Sequence, residues 1–277
     1  MLLDNQGQVV GFSPQLCLFF AHLFVPLQAR KPLNKHNIMK RSTISIALLF
    51  VAIIAYGQSN HYLTKEEAPH DTTFMGPPPA FGSLLFEQDF HMYQYGKTLR
   101  KTERGQQAIK DANTSTANIL EVFSEAFGME LSKEKTPEIY ALINRMKEDA
   151  GSYATRCTKN TYMRMRPYAL YDEPTSVPEA EEGLRNNGSY VSGHSATGVA
   201  VSMVLATINP ERQDQLFKRG LEFGESRWIV GFHHYSDVKA GQMVGALVLP
   251  ALLNNDEFMK QLDKAKKEFA KLKKQGK

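Results

Sequence analysis

Two stretches of this sequence would each form a helix that is apolar on all of its faces. Residues 195–208 are small and apolar throughout, and they end at Asn209-Pro210, where a helix does not continue. Residues 238–253 are similar; with a length of about sixteen residues and Lys239 and Gln242 inside them, they favour a core helix over a membrane span. A helix that is apolar all round must be covered by other elements. The chain therefore has to bury two helices inside a layer of others.

The surrounding segments also have helical patterns. Residues 102–127 place apolar side chains at helical spacing, and residues 136–150 begin with a threonine cap and a proline in the first turn. The tail has an apolar residue at every third or fourth position, namely Phe258, Leu262, Ala265, Phe269 and Leu272, which is typical of a solvated helix with one apolar stripe. There is no strand-like alternation and no internal repeat. We predict an all-α, single-domain helical bundle of roughly eight to ten helices.

The N-terminal part has the pattern of a leader. From Met39 a basic pair precedes an apolar run, and small residues precede Gln58, which is the layout of a secretory signal peptide over residues 39–57. Because a signal peptide starts at the initiator, we interpret residues 1–38 as an over-extended gene model. The alternative is a membrane anchor, but the apolar run is shorter than the ~18–20 residues that span a bilayer. The sequence therefore predicts a secreted protein.

Charge and cysteine content exclude several classes of protein. The chain has 33 basic and 29 acidic residues, and residues 1–57 contain five of the basic residues and one of the acidic ones. The rest of the chain therefore has 28 basic and 28 acidic residues, and this zero net charge gives no sign of nucleic-acid binding. Cys157 is the one cysteine outside that leader, which excludes an internal disulfide and a Cys-based zinc site. Residues 58–83 contain three consecutive prolines and predict an irregular, Pro-rich lead-in that lies on the domain of residues 84–277.

Three short polar segments stand in otherwise apolar surroundings: KNTYMRMRP, GSYVSGHS and SRWIVGFHHYSD. In the first, Lys159 and Arg166 are seven residues apart, so we expect both to project from one face of a helix that Pro167 ends. Arg164 is expected to point elsewhere and to form a surface or structural ion pair.

The second segment lies just before the first buried helix. Ser192, Gly193 and His194 therefore fall at a helix N-terminus, where backbone N–H groups and the positive end of the dipole favour an anion. Ser189 and Tyr190 are expected to shape the loop. These positions predict an anion site.

The third segment supplies a further cation and two adjacent histidines. Asp237 follows His233 by four residues, so on a helical turn its carboxylate can reach that ring. Together the segments predict a receptor for a tetrahedral dianion, in which forked guanidinium donors match the phosphate oxygens. The charged and neutral donors of this receptor are Lys159, Arg166, Arg227, Ser192 and the Gly193 amide.

In this order, K-x6-R-P, S-G-H and S-R-x5-H-x3-D resemble the three-part signature of the PAP2 phosphatase superfamily, which also includes the vanadium-dependent haloperoxidases. More narrowly, GSYxSGH together with the TERG, DAG and ATR segments is similar to the bacterial class A non-specific acid phosphatases. The resemblance runs from the GPPPA segment to the C-terminal helix. One departure is Val191, where class A members usually have proline.

The resemblance implies a role for each site residue. It identifies His233, not His234, as the nucleophile that would form a covalent phosphohistidine, with Asp237 holding the tautomer of its ring. His194, when protonated, would donate to the leaving alcohol and later help to activate water. The phosphoryl oxygens would be bound by Lys159, Arg166, Arg227, Ser192 and Gly193. No metal and no other cofactor is implied, because the cations neutralise the phosphoryl charge.

The activity implied is that of a metal-independent acid phosphatase that hydrolyses a broad range of phosphate monoesters, including nucleotides, sugar phosphates and aryl phosphates, with phosphotransferase activity on the side. The resemblance further implies a homo-oligomer. The leader indicates a secreted, periplasmic protein, the charge balance predicts no nucleic-acid partner, and the short apolar runs predict no stable membrane insertion. Three alternatives remain open: a vanadium-dependent haloperoxidase, a lipid phosphatase, and a phosphate-binding protein without turnover. Lipid phosphatases that act within bilayers carry several spanning helices, and the sequence has none.

Overall fold

Helices account for the regular secondary structure of residues 60–275, the part of the chain that this computed structural model describes. They are α1 (Leu84–Leu99), α2 (Glu103–Asp111), α3 (Thr116–Phe127), α4 (Pro137–Glu148), α5 (Arg156–Tyr162), α6 (Pro167–Leu170), α7 (Glu181–Leu184), α8 (Gly193–Ile208), α9 (Gln213–Val230), α10 (Tyr235–Leu247), α11 (Leu249–Leu253) and α12 (Asp256–Gln275). A π-helical turn, Asp149–Tyr153, follows α4. The all-α prediction is confirmed. The interpretations of residues 1–38 and 39–57 concern residues outside the described part.

Helix α8 lies at the centre of the bundle. Thirteen of its sixteen residues are buried, which agrees with the small and apolar pattern that predicts it. The Ser192 hydroxyl caps its first turn by accepting a hydrogen bond from the backbone N–H of Ser195 at 3.3 Å. Helices α9 and α10 pack directly against α8. The N-terminus of α8 is therefore held in the interior of the protein.

Two glycines allow α10 to approach α8. A Cβ atom at Gly245 would lie 2.3 Å from the carbonyl oxygen of Ala196, and one at Gly241 would lie 2.2 Å from that of Ser192. Only a glycine fits such a contact between backbones. The backbone N–H of Ser192 also donates to the carbonyl oxygen of Asp237 at 2.9 Å. The second and third polar segments are thus joined through backbone contacts.

The structure corrects the expected arrangement of the first polar segment. Helix α5 ends at Tyr162, Met163 is left-handed with φ of 42°, and Arg166 is extended with ψ of 151°. Pro167 begins α6 instead of ending a helix, because proline suits the first helical position and forces the preceding residue out of the helical region. Lys159 and Arg166 therefore do not share a helix face.

Smaller differences have similar local causes. Residues 102–127 form two helices, since Ser115 caps α3 by accepting from the N–H of Asn118 at 3.3 Å. Residues 238–253 divide between α10 and α11, with Pro250 in the first turn of α11. Thr136 does not cap α4 with its side chain, because its hydroxyl accepts from the backbone N–H of Ser132 at 3.0 Å instead and donates to the Ser132 carbonyl oxygen at 2.9 Å. In each case a local hydrogen bond or a proline accounts for the difference.

The segments at either end of the described part pack on the bundle. Residues 60–83 are irregular apart from the 3₁₀ turn Asp71–Thr73. They contribute the buried side chains of Tyr62, Leu63 and Ala68 to the main core. The apolar stripe of α12 is buried there too, through Phe258, Leu262, Ala265 and Phe269.

Substitution of Gly245 by alanine is expected to destabilise the protein, because the added methyl group would overlap the Ala196 carbonyl oxygen and push α10 away from α8. Overpacking of this kind costs ~1–3 kcal/mol, which lowers Tm by several degrees in a domain of this size. Thermal unfolding followed by circular dichroism measures the shift. Gly76→Ala is the matched control, since a Cβ there meets nothing within 4 Å. Equal Tm values for the two variants would contradict the close contact.

Candidate active site

The three polar segments meet around one cavity of about 390 Å³. Six of the eight predicted site residues line it, namely Lys159, Arg166, Gly193, His194, Arg227 and His233. The remaining two, Ser192 and Asp237, are fully buried and do not line it. The fold thus gathers groups from three separate parts of the chain, and two of the predicted residues lie behind the wall of the cavity.

Backbone carbonyls orient two of the three cations. The Nε of Arg166 donates to the carbonyl oxygens of Leu184 at 3.1 Å and Asn187 at 3.0 Å. The Nζ of Lys159 donates to the carbonyl oxygen of Gly188 at 2.9 Å. The end of α7 and the loop that follows it therefore provide the acceptors that position both side chains at the cavity, although they are not on one helix.

Arg227 is the cation with the fewest protein partners. Its guanidinium carbon lies 4.4 Å from the centre of the Phe232 ring, and its Nε is buried without a hydrogen-bond partner among residues 60–275. Burial, and then the charge of Arg166, lower the pKa of Arg227 to about 9. A buried donor without an acceptor is unfavourable, so an oxyanion in the cavity would satisfy it.

Lys159 is affected by the same crowding of positive charge. Burial first, and then the neighbouring charges of Arg166 and Arg227, lower the pKa of the Lys159 ammonium group to about 7. A bound dianion would oppose this repulsion and raise the pKa again. An anion among these three cations is therefore expected to bind more strongly when Lys159 is protonated.

His233 lies in the turn between α9 and α10, after Gly231, which ends α9 with φ of 97°. Arg166 Nη1 lies 3.0 Å from His233 Nε2. Because a guanidinium group can only donate, Nε2 carries the lone pair and the ring proton is on Nδ1. Burial, and then the charge of Arg166, hold the pKa of His233 well below its usual range. The imidazole is thus neutral, with its basic nitrogen at the cavity.

Asp237 supports His233 from behind. Its Oδ2 lies 3.5 Å from His233 Nδ1, and the Ser189 hydroxyl donates to the same oxygen at 2.5 Å. Arg164 Nη1 donates to Oδ1 at 2.5 Å. Burial alone would raise the pKa of Asp237, but the contacts with His233 and Arg164 outweigh it and hold the pKa well below its usual range. The carboxylate is ionised and faces the protonated Nδ1 of the ring, which also lies 3.3 Å from the Ser189 hydroxyl.

Sequence reasoning did not find the full support of this carboxylate. Arg164 forms a structural ion pair, one of the two kinds expected, and its partners are Asp237 and Asp89 on α1, the latter at 2.8 Å from Nη2. Asp89 also accepts from the backbone N–H of Ser236 at 2.7 Å. Ser189 does more than shape the loop, since it bonds Asp237 directly. In the sequence, only the position of Ser189 just before the Ser-Gly-His motif could have indicated its role, and no local pattern indicates the role of Asp89.

His194 lies in the first turn of α8. Its ring stacks on Phe223 with centroids 4.4 Å apart, and its Nε2 lies 2.5 Å from the carbonyl oxygen of Asp111. A carbonyl only accepts, so Nε2 carries a proton and Nδ1 is the nitrogen that can exchange one. Burial, and then the charge of Arg227, hold the pKa of His194 well below its usual range. A dianion beside the ring would raise it.

Asp111, another residue that the sequence analysis did not single out, is itself held in place. Its carboxylate accepts from the Ser226 hydroxyl at 2.6 Å and from the Gln107 amide at 2.8 Å, and it forms an ion pair with Arg219. The backbone of Asp111 is therefore a rigid acceptor for His194. This network requires α2 and α9 to pack together, which no local pattern predicts.

The remaining residues of the second segment shape the N-terminus of α8. A Cβ at Gly193 would lie 2.1 Å from the carbonyl oxygen of Gly151, so the close approach of the π-helical turn requires glycine. The Ser192 hydroxyl accepts from the N–H and the hydroxyl of Ser195. Because a hydroxyl that accepts can still donate, phosphate binding by Ser192 stays a prediction. His234 lies away from the cavity and contacts the Met165 carbonyl oxygen at 3.0 Å.

Two kinds of site are absent from residues 60–275. No group of three or more His, Cys, Asp or Glu side chains in this range is arranged to hold a metal ion. No helix in the same range combines the length and the apolar character of a membrane span.

Comparison with known proteins identifies the family. Residues 150–257 match the PAP2 superfamily. The chain is 48% identical over 214 residues to a non-specific acid phosphatase of Providencia stuartii, with 77% of this chain and 86% of the relative covered. It is 38% identical over 206 residues to a non-specific acid phosphatase of Salmonella typhimurium, covering 74% and 82%. An acid phosphatase of Zymomonas mobilis is 32% identical over 238 residues, covering 82% and 90%.

The chain therefore belongs to the PAP2 superfamily and, within it, to the bacterial class A non-specific acid phosphatases. The resemblance found in the three motifs is confirmed, as is the helical fold that it implies.

Substitution of Arg227 by methionine is expected to separate stability from anion binding. Because the guanidinium is buried without a hydrogen-bond partner for Nε, its loss should leave Tm unchanged or raise it in a phosphate-free buffer. Inorganic phosphate should raise the Tm of the wild type by mass action, equivalent to ~2.7 kcal/mol at a hundred times Kd, and this gain should disappear in the variant. Differential scanning fluorimetry measures both.

The matched control is Arg212→Met, since Arg212 bonds the carbonyl oxygens of Ala126 and Glu125 and does not line the cavity. That variant should keep the phosphate-induced shift in Tm. An Arg227→Met protein with the full wild-type shift would refute the assignment of Arg227 to the anion site.

Proposed function

We propose that this acid phosphatase hydrolyses a broad range of phosphate monoesters by way of a covalent phosphohistidine at His233. The observation that carries the proposal is the neutral His233 ring, whose Nε2 lone pair meets a guanidinium donor at 3.0 Å in a cavity that Lys159, Arg166 and Arg227 also line. A neutral imidazole is the nucleophilic state of histidine. Cations fixed around a transferring phosphoryl group stabilise the charge on its oxygens.

The first chemical step transfers the phosphoryl group to the enzyme. When the ester enters, Arg166 Nη1 turns its hydrogen bond from His233 Nε2 to a phosphoryl oxygen, which exposes the lone pair. The Nε2–P bond forms as the bond from phosphorus to the ester oxygen breaks, and that electron pair leaves with the alcohol oxygen. The ring becomes positively charged, and the ionised Asp237 carboxylate beside Nδ1 stabilises it.

His194 is proposed to supply the proton to the departing oxygen. Before binding, burial and Arg227 keep the pKa of this ring low; the ester dianion raises it, so that the substrate promotes the protonation that its own cleavage needs. Neutral His194 then accepts a proton from water. The water oxygen attacks phosphorus, the N–P bond breaks with its electron pair returning to Nε2, and phosphate leaves. An alcohol in place of water would give phosphotransferase activity.

The protonation states of Lys159 and His194 predict that the enzyme is most active at acidic pH. Lys159, whose pKa in the unliganded protein is lowered to about 7, is protonated below that pH and neutral above it, so anion binding weakens as the pH rises through about 7. His194 must also gain a proton, which is favoured at lower pH. The three cations supply the charge neutralisation that a metal ion provides in other phosphatases, so we propose a metal-independent reaction.

The setting of the enzyme is part of the same proposal. The secretory pattern of residues 39–57 and the relationship to non-specific acid phosphatases support a mature periplasmic protein. Homo-oligomerisation stays a prediction from the family resemblance.

His233→Asn is expected to abolish turnover while the fold persists, because asparagine cannot form the phosphohistidine. Loss of a nucleophile should lower kcat by ~10³-fold or more. Release of p-nitrophenol from p-nitrophenyl phosphate measures the rate, and circular dichroism checks the fold. Rapid quenching with a ³²P-labelled ester should give a protein-bound label that is stable to alkali and labile to acid.

His234→Asn is the matched control, since this adjacent, equally buried histidine contacts the Met165 carbonyl and lies outside the cavity. It should retain both turnover and the acid-labile label. A His233→Asn protein with a normal rate would overturn the nucleophile assignment, and a wild type that gives neither the label nor p-nitrophenol would favour a phosphate-binding protein.

Lys159→Arg is expected to move the basic limb of the kcat/KM profile to higher pH, because a guanidinium stays protonated where the Lys159 ammonium, with its pKa of about 7, does not. The wild-type limb should lie near pH 7. The shape of the profile is the readout, so a lower absolute rate from imperfect fit does not affect the test. Lys110→Arg, on an exposed ion pair, is the control. An unmoved limb in Lys159→Arg would exclude Lys159 as the group that titrates.

A further inference from the structure

The cavity also contains a carboxylate that the proposed mechanism does not use. Glu148, the last residue of α4, lines the cavity together with Lys147 and Ser152. Lys147 Nζ lies 2.6 Å from Oε1, and the Ser152 hydroxyl donates to Oε2 at 2.7 Å. Each carboxylate oxygen is thus held by one donor, so the position of the carboxylate group is defined before any substrate arrives.

Glu148 is ionised and keeps unused acceptor capacity. Burial by itself would raise the pKa of Glu148, but the hydrogen bonds from Lys147 and Ser152 outweigh it and lower the pKa. An ionised carboxylate accepts about four hydrogen bonds and donates none. With 41% of its side chain exposed, Glu148 can offer its remaining lone pairs to a molecule in the cavity.

A negative charge in a cavity built for a phosphate dianion weakens the binding of the anion. Such a group is therefore expected to gain its interaction from the other part of the substrate, the leaving group, through a hydrogen-bond donor. An ammonium donor is disfavoured, because Lys147 already pairs with Glu148 and three further cations line the same cavity. A hydroxyl group donates without adding positive charge.

The rest of the lining fits a leaving group of mixed character. The residues that line the cavity include Thr114, Ser152 and Asn187, which carry hydroxyl and amide groups, and Ile119 and Leu184, which are apolar. A sugar or nucleoside has both hydroxyl edges and an apolar ring face, while an aryl group leaves the polar side chains without partners. Unpaired polar groups in a binding site discriminate against the substrate that cannot pair them.

We propose that Glu148 accepts a hydrogen bond from a hydroxyl of the leaving group and makes polyhydroxy alcohols, such as sugars, the preferred leaving groups of this enzyme. The inference rests on the proposed phosphatase function of the same cavity. Glu148 is a specificity-determining residue here and takes no part in proton transfer or in the bond to phosphorus.

The test compares two esters of the same shape, glucose 6-phosphate and cyclohexylmethyl phosphate, which lacks the hydroxyl groups. The wild type should have the higher kcat/KM for the sugar ester. Glu148→Gln should lower kcat/KM for glucose 6-phosphate by about tenfold and leave cyclohexylmethyl phosphate within about twofold, because a hydrogen bond to a charged acceptor is lost from one complex only. Phosphate release measures all rates.

Glu121→Gln is the matched control, since Glu121 also pairs with a lysine, at 2.7 Å from Lys110 Nζ, but is exposed and does not line the cavity. This variant should leave kcat/KM unchanged for both esters. Thermal unfolding of both variants checks the fold.

Three outcomes for Glu148→Gln would overturn the inference. An equal loss of kcat/KM for both esters would indicate a structural role, and no loss for either ester would exclude a contact with the leaving group. A loss confined to phosphoethanolamine, assayed in parallel, would indicate recognition of an ammonium group. Failure of the proposed function is distinguishable, because His233→Asn is measured with the same esters. If that variant turns them over at the wild-type rate, the phosphohistidine proposal fails whatever Glu148 does.

Discussion

The carboxylate of Asp237 is the contact on which the geometry of the site depends, because it joins all three polar segments. It accepts from Arg164 of the first segment and Ser189 of the second, and it lies 3.5 Å from the His233 ring of the third. It also accepts from the backbone N–H of His234 at 2.9 Å. A fully buried carboxylate requires partners of this kind to remain ionised. The same contacts that stabilise the charge therefore align the histidine, so one cluster meets the folding requirement and the requirement of the proposed catalysis.

Whereas the contacts of Asp237 stabilise the fold, the cations that line the cavity beside His233 destabilise it. Burial and mutual repulsion lower the pKa values of Lys159 and Arg227, and the Nε of Arg227 has no acceptor among the described residues. Such an arrangement is unfavourable for folding and favourable for binding a dianion. The surrounding bundle offsets it by close packing at α8, where glycines of α10 meet backbone carbonyls. The rigid scaffold thus keeps charges near one another that would otherwise separate.

Local patterns were sufficient for most of the fold and failed at specific residues. Buried α8 and the stripe of α12 follow from the apolar residues alone. The single helix expected through Lys159 and Arg166 is wrong, because Pro167 begins α6 and leaves Arg166 extended. Both side chains still line the cavity. Their alignment comes from carbonyl groups in the loop after α7, and spacing along a single helix cannot predict these tertiary contacts.

The sequence by itself determined the helical class, the family and the residues of the three motifs, because apolar periodicity and motif spacing are local properties of the chain. Tertiary structure alone decided what surrounds those residues. Asp89 holds Arg164 from α1, the Asp111 carbonyl receives His194 from the end of α2, and Glu148 reaches the cavity from α4. The physical reason is that hydrogen bonds and charge interactions act over a few ångströms in space, whereas these partners are separated by dozens of residues along the chain.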